Sequence, residues 1–368
     1  MKFLIRTLLL ALALALGLAP QAAAQGPGAA QRPAGPGSPP GLERSAAADA
    51  RAVVTLCVEN GDVLVRGWDR GEVRVRAEEA GTLTLLTPNV SPAPRVEVLV
   101  SEDEGRELRP GECGTSRRIE LTVPRGATVS VQSNSGHVEV SDVAEARVKV
   151  LSGDVNVRRV SQSVEVSCLS GDVTGTDSSG SVRASTVSGD VEARGLRTSA
   201  EGDNLEAKSV SGDVTVEGVA HRQVSASAVS GQVLYTGAIT RGGSYDFKTI
   251  SGDVTLELPA DSSFNLHAKV VVSGEIDTDF PVRTVHGAAH SARTAPPAPP
   301  PTPSPSPNGP GIVVMPPDPP AHGKPGKGKV KVKGPREHTS AQLDGTVGAG
   351  DAVVNLNSFS GSLRLRKR

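Results

Sequence analysis

Aromatic side chains are scarce: Phe, Trp and Tyr make up 2% of the 368 residues. A core built from large rings is therefore excluded. The interior must be filled with small and β-branched groups, which suits stacked strands. An excess of one charge is also missing, with 39 Lys plus Arg against 40 Asp plus Glu, so nothing in the balance points to a nucleic acid partner. There are three cysteines, Cys57, Cys113 and Cys168, without metal-ligand spacing. The seven histidines form no HExxH pair, and His286 and His290, four apart, sit in a Gly/Ala-rich segment. No GxSxG elbow occurs, and Gly345, Gly348 and Gly350 lack the strand–loop–helix setting of a phosphate loop. Beyond the first residues no helical period and no membrane-length apolar run appears.

The chain does have a leader-like start. Lys2 and Arg6 precede an apolar run to Leu18, and Ala22-Ala23-Ala24 is a small-residue cleavage site. Residues 1–24 read as a secretory signal peptide, so the protein is expected to be exported, to the periplasm or the cell surface. Residues 25–50, rich in Pro, Gly and Ala, read as a disordered spacer. Alternating apolar segments such as VVTLCV, DVLVRGW, EVRVRAEEA and RRIELTV then predict an N-terminal β region over 51–128. In an exported protein Cys57 and Cys113, both ahead of the repeats, are the expected disulfide pair, leaving Cys168 as a buried thiol.

From Ser135 the chain becomes periodic. Ser-Gly-Asp-Val begins at Ser152, Ser170, Ser188, Ser211 and Ser251, with variants at Ser135, Ser230, Ser273 and Ser360. Coils of about 18–23 residues predict an all-β fold, a parallel β-helix-like solenoid over 129–286, preceded by the N-terminal β region. Counting the serine as zero, alternation places positions −1, +1, +3 and +5 on one inward face. Position −1 is Leu151, Leu169, Val187, Val210, Val229 or Ile250. The phase slips just before that position, which marks a bend. The tetrapeptide thus reads as a structural corner, since a single active site would need one copy.

Together, VENGDVLVRGWDRGEVRVRA (58–77), VPRGATVSVQSNSGHVEV (123–140), the SGDV coils, LPADSSFNLHAKVVVSGEIDTDF (258–280) and LNSFSGSLRLRKR (356–368) resemble the bacterial putative-adhesin family of β-strand-repeat proteins. The resemblance implies a strand-repeat fold and a surface interaction or adhesion role. Where that family runs directly into its closing coil, this chain carries a Pro-rich and Lys-rich insertion over 287–336, expected to be disordered. Residues 337–368 are expected to form the closing coil that caps the solenoid.

The stacked acids Asp154, Asp172, Asp190, Asp213 and Asp253 raise a calcium ladder as one possibility and turn-capping carboxylates as another. The same acids would have to serve a carbohydrate-active β-helix enzyme, but they look equivalent, and glycoside chemistry needs two carboxyls in different settings. Lys324, Lys327, Lys329, Lys331, Lys333 and Arg336 suit an anionic membrane surface or a solvated linker. The expectation is a protein without catalysis or cofactor, binding a surface ligand or an envelope protein. The alternative is a periplasmic stress or assembly scaffold.

Overall fold

The computed structural model describes residues 41–284, 330–333 and 340–368, and all structural statements concern these. The proposed signal peptide, most of the spacer and most of the insertion lie outside them.

Strands dominate because Val, Thr, Ser and Ile alternate along the chain while Gly, Asn and Asp interrupt it. The N-terminal strands are β1 (Leu42–Trp68), β2 (Glu72–Glu78), β3 (Thr82–Leu86), β4 (Ala93–Ser101) and β5 (Gly114–Pro124). Each repeat then supplies a long strand ending at the corner serine and a short one after it. These are β6 and β7 (Thr128–Ser135, Val138–Ser141), β8 and β9 (Glu145–Ser152, Val155–Arg158), and β10 and β11 (Ser163–Ser170, Val173–Thr176). Next come β12 and β13 (Ser181–Ser188, Val191–Arg194), β14 and β15 (Asn204–Ser211, Val214–Glu217), and β16 and β17 (Gln223–Ser230, Val233–Thr236). Then follow β18 and β19 (Ser244–Ser251, Val254–Leu258) and β20 and β21 (Phe264–Ser273, Glu275–Thr278). The last strands are β22 (Arg283–Thr284), β23 (Val330–Lys333), β24 (Ala341–Val347), β25 (Val353–Ser360) and β26 (Leu363–Lys367).

Long strands pair in parallel with long strands and short with short, serine against serine at every step, as in Ser152↔Ser170 and Ser211↔Ser230. The expected all-β solenoid is therefore the fold. Its glycine corners are forced by geometry. Gly153 has φ 130°, and a Cβ there would lie 2.2 Å from the carbonyl oxygen of Gly136 on the rung below. Only glycine meets both conditions.

Three expectations need correction. First, the rungs begin before residue 129, within the N-terminal β region. β1 itself is a rung, pairing in parallel with β6 at Val53↔Thr128 and with β7 at Val63↔Val138. On its other side β4 and β5 add one further parallel rung. Strand structure also begins at Leu42, inside the expected spacer, because Leu42–Ala47 pairs antiparallel with β2. Alanine-rich sequence gives little strand signal of its own, so pairing decides it.

Second, the closing coil does not cap the stack. β25 and β26 slot between β18/β19 and β20/β21, at Phe247↔Leu356 and Leu266↔Val354. The far end is closed instead by antiparallel strands, β24 on β20 and β23 on β21. The near end is closed the same way, by β3 on β4 and β2 on β5. Antiparallel closure occupies edges that would otherwise template another chain. Third, β23 lies within the segment expected to be wholly disordered, and its backbone is a paired strand.

The interior is a continuous file of Val, Ala and Leu, with the buried rings in three rungs toward the far end: Tyr235, then Tyr245 with Phe247, and on the last rung Phe264 with Phe280. Tyr235, Tyr245 and Phe247 pack at centroid distances of 5.2–5.9 Å. The small Ala226 shares a rung with Tyr235, which makes room for the ring.

Candidate functional site

The side-chain pattern around each corner decides what the molecule presents. In β8 the buried residues are Ala146, Val148 and Val150, and after the corner Val155 and Val157. The inward positions are thus −6, −4 and −2, then +3 and +5. The step from −2 to +3 is five positions, an odd number, so the parity changes across the corner itself. Ser, Gly and Asp all sit at the bend, where positive φ at glycine turns the backbone and breaks the alternation.

Position −1 therefore points outward, contrary to the sequence reading that placed it in the core. Leu151, Leu169, Val187, Val210, Val229 and Ile250 are all exposed, and Phe359 and Val271 continue the line on the inserted and last rungs. Their exposure runs from 38% to 52%. Scattered surface aliphatics need no explanation, but eight consecutive rungs with one each form a contiguous apolar patch. At a strand spacing of about 4.8 Å the ridge is roughly 34 Å long. A shallow groove of about 620 Å³ runs beside it, lined by Val187, Val210, Val229, Ile250 and Phe359 together with Lys208 and Lys248.

The ridge has unlike flanks. Two residues before it, at −3 or in register with it, stand Lys149, Lys208, Lys248 and Lys269 with Ser167, Ser185, Ser227 and Asn357 between them. Lys208 pairs with Glu206, and Lys248 with Asp246 at 2.9 Å. Lys208, with Arg183 beyond it, holds the Glu206 carboxyl below the usual range. On the other flank lie the corner serines and then the acids at +2. Toward the near end the ridge stops. The equivalent residues there are Glu59 and Asn134, next to the Cys57–Cys113 disulfide that ties the 102–113 loop to β1.

The acidic row does structural work at the corner. The Asp154 carboxylate accepts the Asp172 amide at 3.0 Å, Asp172 accepts that of Asp190 at 2.8 Å, and Asp190 that of Asp213 at 2.7 Å. Asp213 accepts from Gln232 at 2.7 Å, and Asp253 from Ser362 at 2.8 Å on the inserted coil. Each carboxylate thus caps the next rung. Among the described residues no group of three or more His, Cys, Asp and Glu is arranged to hold a metal ion.

A second ladder escaped the sequence reading. Hydroxyls at −2 bond back to the corner carbonyl of the preceding rung: Thr186 to Gly171 at 3.0 Å, Ser209 to Gly189 at 2.9 Å and Thr249 to Gly231 at 3.1 Å. The run of Ser and Thr at one register position, flanked by apolar residues, was the available signal. Cys168 occupies the same row, its Sγ 3.4 Å from the Gly153 oxygen, and burial pushes its thiol pKa up. Trp68 packs locally, donating Nε1–H to the Glu72 carbonyl beneath Arg70 and Arg74.

The basic residues of the insertion are only partly placed. Lys331 and Lys333 lie on β23 opposite Asp277 and Glu275 in register. Lys324, Lys327, Lys329 and Arg336 lie outside the described residues.

Residues 54–294 match the family model described as Toastrack DUF4097. No curated protein matches the chain. Two solved structures are similar to it. One is a putative adhesin from Bacteroides fragilis, 17% identical with a TM-score of 0.36, over 59% of this chain and 96% of that one. The other is a putative cell adhesion protein from Clostridium sporogenes, 10% identical with a TM-score of 0.19, over 89% and 100%.

Proposed function

The chain belongs to the Toastrack DUF4097 family, and on that premise we propose that it is an exported binding module, without catalysis of its own, whose contact surface is the apolar ridge. One observation carries this reading: eight successive rungs each expose one half-buried aliphatic or aromatic side chain on the same line. Water-exposed apolar strips of this length are selected against unless something covers them. The Cys57–Cys113 disulfide supports an oxidising destination, in keeping with the leader-like N-terminus. The corner carboxylates are engaged by backbone amides and are near-equivalent, which leaves them poorly suited to acid–base work.

Retention of the purified full chain on isolated cell envelope tests the reading. The double variant Val187→Glu, Val229→Glu changes exposed residues only, so it should fold and lose retention. Equal retention of the variant and the native chain would refute the ridge as contact surface. Protease added to intact cells then separates a surface module, which is cut, from a periplasmic scaffold, which is protected.

A further inference from the structure

We propose that the partner of the ridge is the same ridge on a second copy of this chain, the two related by a two-fold axis parallel to the stacking direction. This rests on the reading of the ridge as the contact surface, and names what it contacts.

The first reason is spacing. A partner must offer apolar groups about every 4.8 Å along some 34 Å, which is the repeat of stacked strands. This face itself has that repeat. The second reason is charge. A rung with Lys at −3 always has an acid at +2: Lys149 with Asp154, Lys208 with Asp213 and Lys248 with Asp253, and on the last rung Lys269, brought into register with Asn357 by one extra residue between Val270 and Ser273, goes with Glu275. The two ridge rungs without an acid, at Gln232 and Ser362, also lack the lysine, carrying Ser227 and Asn357. A two-fold parallel to the stack sets each rung against itself with its flanks exchanged. The lysine row of one copy then faces the acid row of the other, and Leu151, Val210 and Ile250 each meet their own counterpart. A two-fold perpendicular to the stack within the contact plane would set lysine row on lysine row. The face is thus self-complementary in one orientation, as an isologous contact requires.

Size sets the strength expected of the contact. Rows −3 to 0 lie on one strand and span about 10 Å before the corner turns, so the strip covers roughly 340 Å² per copy and about 680 Å² in total, the scale of a weak, transient association. A contact of this kind is concentration-dependent and suits association of copies brought together on apposed surfaces.

Sedimentation velocity of the full chain, up to about 100 μM so that a micromolar Kd would register, should show a doubling of mass. Val210→Glu and, separately, Lys208→Glu with Lys248→Glu should restore the monomer. Orientation is read by cross-linking in a Cys168→Ser background, a change tolerated because Ser already fills that row at Ser209 and Ser358. Leu151→Cys lies at one end of the ridge and should form a symmetric disulfide with itself on oxidation. A native chain that stays monomeric, a dimer indifferent to Val210→Glu, or failure of Leu151→Cys to cross-link to itself would each overturn the proposal. If the native chain is monomeric while ridge variants still lose envelope retention, the binding-module reading stands and the self-contact falls. If retention is also unchanged, both fall.

Discussion

The smallest unit of this architecture is the Ser-Gly-Asp corner, and each of its letters has a separate physical task. The glycine adopts a backbone conformation closed to other residues while touching the rung below. At Gly212, φ is +148° and an added Cβ would stand 2.1 Å from the Gly189 oxygen. Gly212→Ala should therefore cost at least about 2–3 kcal/mol, lowering the urea midpoint. A loss under about 0.5 kcal/mol would mean that the corner relaxes freely. The aspartate acts as an acceptor. Asp190→Asn keeps an oxygen for the Asp213 amide and should be near neutral, whereas Asp190→Ala should cost about 1 kcal/mol. If Asn proves as costly as Ala, charge and not acceptance is what matters, and a cation among the carboxylates becomes the better account. This division of labour was partly legible in the sequence. Recurrence marked the corner as structural, and the turn-capping alternative for aspartate anticipated the geometry.

At the level of strands, periodicity was the readable signal and parity was not. A period-two pattern gives the same letters whether it faces in or out, so a single irregular residue at the bend reverses every assignment on one side of it. That is why Leu151, Leu169 and Ile250 looked like core residues and are surface residues. The −2 row was hidden for a related reason: the face of Ser209 and Thr249 depends on where the phase slips, and their hydroxyls reach the glycine carbonyls of the preceding rung. The disulfide belongs to this scale too, since it fastens the 102–113 loop to β1 across a sequence separation of 56. Closing a loop of that length should contribute about 4 kcal/mol through the unfolded state. The unfolded, unreduced protein should titrate with one thiol, that of Cys168, and reduction should lower the melting temperature. Three free thiols without reduction would exclude the bridge.

For the whole molecule, stacking order is what local sequence does not encode. Val354, Leu356, Leu363 and Leu365 would fill any rung, so nothing in their pattern says that the last coil lies between β18/β19 and β20/β21. The Asp253 to Ser362 hydrogen bond across 109 residues is a consequence of that order. Nor does composition announce Leu42–Ala47 or Val330–Lys333 as strands, because each is held by a partner far away in the chain or across an end of the stack. Among the described residues the result is a stack of parallel rungs closed at both ends by antiparallel strands, with one long apolar line exposed. That outward line is most directly tested by thiol alkylation in the Cys168→Ser background, at nanomolar protein where copies do not associate. Val229→Cys should be modified at close to the rate of the unfolded chain and its neighbour Ala228→Cys should be strongly protected; protection of Val229→Cys with rapid modification of Ala228→Cys would contradict the account.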